Sequence, residues 1–417
     1  MFFFLYQLIL SLILLLSPII ILFRIFKKKE HTKRFIEKFS FPSKKRKQGK
    51  LIWFHGASVG EILSVMPLIK NYERDIKINQ ILLTSSTLSS IKVFKKFKFK
   101  KTIHQFYPID HFLFTKKFLK FWKPDLAIFI DSEIWPRMFN DINNKKIPLI
   151  LLNARLTEKT FSKWKKIKNL SNIVFKKITT AYPQNRETNI YLKSLGVKNI
   201  INLGNLKFAE NYEENLFKLN NKTRNEFKKK KIWVASSTHE PEEIFCAKTH
   251  LELRKKYKNL LTIIIPRHVH RASSIISELK KINLKIHLHS SRSKNLKNID
   301  IYLVDTFGET KKFHKVSSSV FLGGSIIKRG GQNPLEAARF GARILHGANT
   351  NNFKDIYSFL KSQNISKKVN TPKQLASLIT FRKNREVGNK IKKIGEKILN
   401  KTIKELDRAI KNETKKT

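Results

Sequence analysis

In the stretch HGASVGEILSVMPLI, which begins at His55, a lone carboxylate stands where a glycine-framed turn gives way to an apolar helical pattern. Two readings of Glu61 are open. At a helix start the macrodipole stabilises its ionised form with no catalysis involved; held in a turn at a strand's end, it can also take the proton of an acceptor hydroxyl as a general base. The loop GGSIIKRGGQNPLEAARFG offers a different chemistry. Gly323, Gly324, Gly330 and Gly331 let a backbone approach a ligand closely, and Asn333, Pro334, Leu335 and Glu336 read as cap, first helical position and first turn. Free amide N–H groups at that end attract phosphate. Glu336 would repel the phosphate itself and suits a neutral diol such as a ribose; as a capping-box glutamate it needs no ligand at all.

Other chemistries lack their residues. There is no G-x-G-x-x-G and no Walker lysine motif. THEPEE lacks the second histidine of a zincin helix, so no metal site is expected, and His55, His239 and His268 read as structural or ligand-contacting groups. One cysteine, Cys246, excludes an intrachain disulfide and is compatible with a reducing compartment.

These loops need strands to present them, and the text supplies them. From Leu51 short β-rich runs alternate with helical ones, as in parallel α/β units. LIWFH, INQILLTSST, PDLAIFID, IPLILLNARL and KITTAYPQN form a first series; KIWVASST, LLTIIIP, IDIYLVDT, SSVFLGG and ARILHG form a second. Polar, glycine-bearing text follows strand after strand, where open α/β sheets bind ligands. The expected domains are 51–210 and 231–370, joined by a helical Asn- and Lys-rich linker over 211–230 and followed by a basic helical segment over 371–417.

Ahead of them, MFFFLYQLILSLILLLSPIIILF is interrupted only by Gln7, two serines and Pro18, and is long enough to cross a bilayer as a helix. Residues 1–26 are therefore expected to form a single-pass anchor lying outside the fold, and 27–50 a basic juxtamembrane segment. Arg24, Lys27, Lys28, Lys29, Lys33 and Arg34 keep the body cytoplasmic by the positive-inside rule. A cleaved signal peptide would carry its charges before the apolar run and a small-residue cleavage site after it.

Eighty-five Lys+Arg against 31 Asp+Glu give a net charge of +54 in 417 residues. Such a balance favours an anionic membrane surface, phosphorylated substrates or nucleic acid, although Lys/Asn/Ile/Phe-rich composition by itself inflates it. Nucleic acid is not the expected partner, because the 32 Phe fall mostly in apolar runs and do not interleave with the basic residues.

Read together, SVGE, DSEIWP, NARLTEKT, GNLKF, SSTHEPEE, PRHVHR, DTFGE, GGSIIKRGGQNPLE and NNFKD resemble, in order, the motifs of the Kdo (3-deoxy-D-manno-octulosonic acid) transferases of lipid A biosynthesis. The resemblance implies a membrane-anchored GT-B glycosyltransferase of the inner membrane, with two Rossmann-like domains facing a cleft. It implies inverting transfer of Kdo from CMP-Kdo to the non-reducing glucosamine of a tetraacylated lipid A precursor, lipid IVA. Glu61 matches the family's base, and Asp131 and Lys207 its transition-state stabilisers. The CMP contacts match Pro266, Arg267, Phe307, Gly308, Glu309, Asn333, Pro334, Leu335 and Glu336. No cofactor is implied, and CMP departs as a stable anion without needing a metal. This chain differs from the usual pattern at Asp131, where Glu is common and Glu133 is an alternative carrier of the role, and at Pro241, Phe307 and Gln332. The competing reading is another GT-B nucleotide-sugar transferase acting on a membrane lipid.

Overall fold

The computed structural model describes residues 2–210, 218–293 and 295–414. It divides into two compact units, Met1–Asn211 with Gly395–Thr417, and Tyr212–Ile394. Each is an α/β unit with its own parallel sheet.

In the first unit the strands are β1 (Leu51–His55), β2 (Gln80–Ser85), β3 (Thr102–Phe106), β4 (Leu126–Ile130), β5 (Leu149–Ala154) and β6 (Thr180–Pro183). Their order is β3-β2-β1-β4-β5-β6, the doubly wound arrangement in which the chain reverses direction between β1 and β4. β1, β2, β4 and β5 are buried along their whole length, which is why they read as unbroken apolar runs with no alternation. The edge strand β3 was not legible in KKTIHQF, because what holds it lies elsewhere in the chain. The Glu73 carboxylate accepts the amide of Thr102 at 2.6 Å, and the fully buried Glu37 carboxylate accepts that of Phe106 at 2.7 Å.

The second unit has β7 (Lys231–Thr238), β8 (Leu260–Pro266), β9 (Ile286–Leu288), β10 (Ile301–Leu303), β11 (Ser319–Leu322), β12 (Arg343–His346) and β13 (Ser366–Lys368), in the order β13-β12-β11-β7-β8-β10-β9. β7 is its central strand, flanked by β11 and β8. β9 and β13, three residues each, were too short to announce themselves. Of the expected linker, Asn221–Lys228 is helical, and residues 211–217 lie outside the described residues. The C-terminal segment contains the helices Pro372–Leu378 and Arg385–Thr414.

The N-terminal segment differs from the single helix expected. It forms two helices, Phe2–Leu15 and Ser17–Phe26, bent by 57° where Pro18 enters the first turn of the second. Among the described residues no single helix is long and apolar enough to cross a membrane; this bent pair is so only when taken together. The following basic segment is part of the first unit. Arg34 pairs with the buried Glu37 at 2.6 Å, and Arg46 donates to the Trp122 carbonyl at 2.6 Å.

Candidate active site

The first unit gathers its chemistry at the carboxyl ends of β1, β4 and β5. Ser58 caps the helix Val59–Arg74, and Glu61 is its third residue in a complete capping box. The Ser58 hydroxyl donates to Glu61 Oε1 at 2.7 Å and the Ala57 amide to Oε2 at 2.7 Å. The helix-start reading of Glu61 is thus met in full, by a side chain that is structurally fixed and half-buried. Burial pushes its carboxyl above the ordinary range against the Ser58 and Ala57 hydrogen bonds, and the charges of Glu133 and Asp131 push the same way.

Asp131 directly follows β4 in a left-handed conformation, φ 62°, and is buried. Lys207 Nζ lies 3.4 Å from its Oδ2. Burial raises the Asp131 carboxyl, while Lys207 and Arg155 oppose the shift. Lys207 is carried by a short 3₁₀ turn, Leu206–Ala209, that two asparagines hold: Asn205 Oδ1 accepts the Lys207 amide and Asn153 Oδ1 the Leu206 amide, each at 2.9 Å. Asn153, at the end of β5 with φ 51°, was visible in the sequence only as the asparagine of NARLTE, with no role attached.

His55 is the structural group its sequence suggests, with partners the sequence does not show. Fully buried at the end of β1, it stacks on Tyr107 with ring centroids 3.8 Å apart. Its Nε2 lies 3.1 Å from Glu133 Oε2, and its Nδ1 3.0 Å from Thr84 Oγ1, which accepts from Trp53 Nε1 at 2.9 Å. Trp135 Nε1 donates to the same Glu133 oxygen at 2.9 Å. Burial lowers the His55 pKa and these hydrogen bonds lower that of Glu133 against its own burial. The consistent assignment is a neutral imidazole donating Nε2–H to an ionised Glu133. A carboxylate two residues after Asp131 is thus locked beside Glu61's helix start.

In the second unit Pro266 ends β8 and is buried, with the exposed Arg267 following, its amide bonded to the Thr238 carbonyl at 3.0 Å. Phe307, 82% exposed, and Gly308, φ 87°, follow the neighbouring β10, and Glu309 pairs with Lys312 at 2.7 Å. Asn333 Oδ1 accepts the Leu335 amide at 3.1 Å, so the helix begins at Leu335 with Pro334 at its cap, one residue later than expected, and Glu336 lies in its first turn. The sequence residues Pro266, Arg267, Phe307, Gly308 and Glu309 thus sit at two adjacent strand ends, while Asn333, Pro334, Leu335 and Glu336 follow the loop after β11.

Glu242 of THEPEE joins the loop after β7 to the loop after β11. Fully buried, its carboxylate accepts four amides: Gly324 at 2.7 Å, and His239, Ser325 and Ile326 at 3.0 Å each. Gly323 approaches protein and not ligand: a Cβ there would overlap the Ser237 carbonyl and Thr238 Cα. Glu243 takes both guanidinium nitrogens of Arg271, at 2.8 and 3.4 Å, tying THEPEE to PRHVHR. Burial lowers the pKa of His239 and His268, and the cations Arg267 and Arg329 add to it at both. That is a positive field at the ends of β7, β8 and β11, as an anionic ligand requires.

Known proteins resemble the chain over most of its length. Residues 33–210 match the family described as 3-deoxy-D-manno-octulosonic-acid transferase (kdotransferase). The chain is 34% identical over 374 residues to a 3-deoxy-D-manno-octulosonic acid transferase of Rickettsia bellii, covering 88% of each protein. With the Haemophilus influenzae protein of that name it shares 30% over 359 residues, 84% of each. A solved UDP-GlcNAc 2-epimerase from Neisseria meningitidis superposes with a TM-score of 0.58 over 87% of this chain and 100% of its own at 14% identity, a likeness of fold alone. On the strength of these matches, the chain belongs to the 3-deoxy-D-manno-octulosonic acid (Kdo) transferase family of glycosyltransferases.

Proposed function

We propose that the protein is an inverting transferase moving Kdo from CMP-Kdo to the non-reducing glucosamine of lipid IVA. In this reading residues 51–210 bind the acceptor and 231–370 the donor. Glu61 removes the acceptor hydroxyl proton as the oxygen bonds to the anomeric carbon of Kdo. The bond from that carbon to the CMP phosphate breaks with its electron pair leaving on CMP, and the configuration inverts. Asp131 and Lys207 stabilise the charge that develops at the sugar. Pro266, Arg267, Phe307, Gly308, Glu309 and Asn333, Pro334, Leu335, Glu336 hold the cytidylate, Arg267 facing its phosphate and Glu336 a ribose hydroxyl. The body works on the cytoplasmic side of an inner membrane, attached by the bent N-terminal pair, which either crosses the bilayer or lies in one leaflet.

The observation that carries this reading is the placement of the Glu61 carboxylate just after β1, beside β4, whose carboxyl end is followed by the Asp131–Lys207 pair. A base poised above the usual carboxylate range is suited to a hydroxyl acceptor. Mass spectrometry of the product from purified protein, CMP-Kdo and lipid IVA tests it, and also counts the Kdo residues added. A product lacking Kdo sinks the proposal. The alternative, a different nucleotide sugar, predicts thermal stabilisation by UDP or GDP in place of CMP.

A further inference from the structure

The face that the N-terminal helix turns to the protein is polar at the wrong places for a span. Phe3, Tyr6, Gln7 and Ser11 recur at helical spacing on one side of Phe2–Leu15, and each touches the first unit. The Tyr6 hydroxyl donates to Asp110 Oδ2 at 2.7 Å, and Ser11 Oγ lies 3.0 Å from His111 Nε2. Gln7 is used at both ends of its amide: Nε2 donates to the Asp110 carbonyl at 3.3 Å and Oε1 accepts the Phe112 amide at 3.0 Å. Phe3 packs on the unit's core, under the Arg137 guanidinium 5.6 Å from its ring. The contacts run from residue 3 to residue 11, so the helix lies along the body and does not project from it.

The opposite face is bare and apolar. Phe4, Leu8, Leu12 and Leu15 are 74, 47, 56 and 77% exposed, and beside the docking loop Phe112 and Leu113 are 38 and 53% exposed. After the bend the second helix exposes Leu22 and Phe26, at 68 and 86%, and ends in the exposed Lys27, Lys28 and Lys29. An apolar face bordered by cations is the pattern of a helix lying in the plane of an anionic leaflet. A spanning helix would surround Tyr6, Gln7 and Ser11 with lipid and strip their partners.

We propose that the bent pair lies in one leaflet, clamped to the first unit through Asp110–Phe112, and does not cross the bilayer. The docking loop follows β3, and Asp110 also caps the helix after β4 by accepting the Arg137 and Met138 amides at 2.9 and 2.7 Å. The lipid-facing surface therefore borders the strand ends that carry Asp131 and Glu61, where a lipid acceptor would enter. This rests on the membrane placement proposed above.

The test uses the full chain with an N-terminal epitope, bound from outside to vesicles of phosphatidylglycerol and phosphatidylethanolamine. Protease added outside is expected to remove the epitope together with the body. An epitope protected while the protein still floats with the vesicles overturns the in-leaflet arrangement and leaves the membrane location standing; a protein that does not float overturns both. Spin labels at Phe4→Cys, Leu8→Cys, Leu12→Cys and Leu15→Cys, in a Cys246→Ser background, are expected at similar depth. A depth that increases steadily from one end of the series to the other overturns the proposal independently.

Discussion

At the scale of residues, the site is a set of carboxylates kept in different states by their surroundings. Glu61 is raised chiefly by burial, with Glu133 and Asp131 adding to it, whereas Glu133 is lowered by His55 and Trp135 in spite of its burial. A base works deprotonated, so kcat/KM should fall on the acid side through Glu61's raised pKa. Removing the Glu133 charge takes away one of the raising causes. Glu133→Gln is therefore expected to move the acid limb of the kcat/KM profile to lower pH, with a smaller kcat; a limb that stays put or moves up would show that Glu133 does not act on Glu61. Glu61→Gln keeps an oxygen to accept the Ala57 amide and an NH2 group that can donate to the Ser58 hydroxyl, but it cannot take a proton. Transfer should drop roughly 10²- to 10⁴-fold in kcat with little change in melting temperature.

At the scale of elements, two buried contacts decide whether the loops are where the chemistry needs them. Glu242 gathers four amides, and Gln in its place offers one acceptor oxygen and one wrong donor. Glu242→Gln should cost about 1–3 kcal/mol of stability for each amide left unpaired, and should weaken CMP binding in calorimetry more than it slows transfer at saturating donor. In the first unit the C-terminal helix presses Gly395 against the backbone of Phe208, next to Lys207, where a Cβ would overlap the Phe208 carbonyl. Gly395→Ala should destabilise by about 1–3 kcal/mol and lower kcat by displacing the Lys207 turn. An unchanged kcat with a lowered melting temperature would separate the helix's structural role from Lys207's.

At the scale of the molecule, the net charge of +54 acts on what the protein approaches and not on how it folds. If the exposed Lys27, Lys28 and Lys29 meet an anionic leaflet, changing all three to Gln should weaken sedimentation with phosphatidylglycerol vesicles roughly ten- to hundredfold. The same change should leave binding to neutral vesicles nearly untouched. Raising the salt toward 1 M, where the screening length falls to about 3 Å, should mimic the triple change. Equal loss on neutral vesicles would mean that the lysines hold the fold and not the lipid.

The sequence alone determined what depends on neighbours along the chain. Strands buried on both faces read as apolar runs, so β1, β7 and β8 were legible to the residue and β2, β4 and β5 to within two residues at each end, as was the helix start that bears Glu61. The ordered loop motifs were enough to point to the Kdo transferase family. What tertiary structure decided is pairing across distance. His55 meets Glu133 over 78 positions, Glu242 meets Gly324 over 82, and Tyr6 meets Asp110 over 104. Hydrophobic periodicity reports that a residue is buried and is silent about its partner, so His55 was seen without its carboxylate and THEPEE without its amides. The N-terminal run shows the same limit most plainly: its length and apolar content read as a span, and only the contacts of Gln7 and Ser11 with the Asp110–Phe112 loop separate a face turned to the protein from an exposed apolar one.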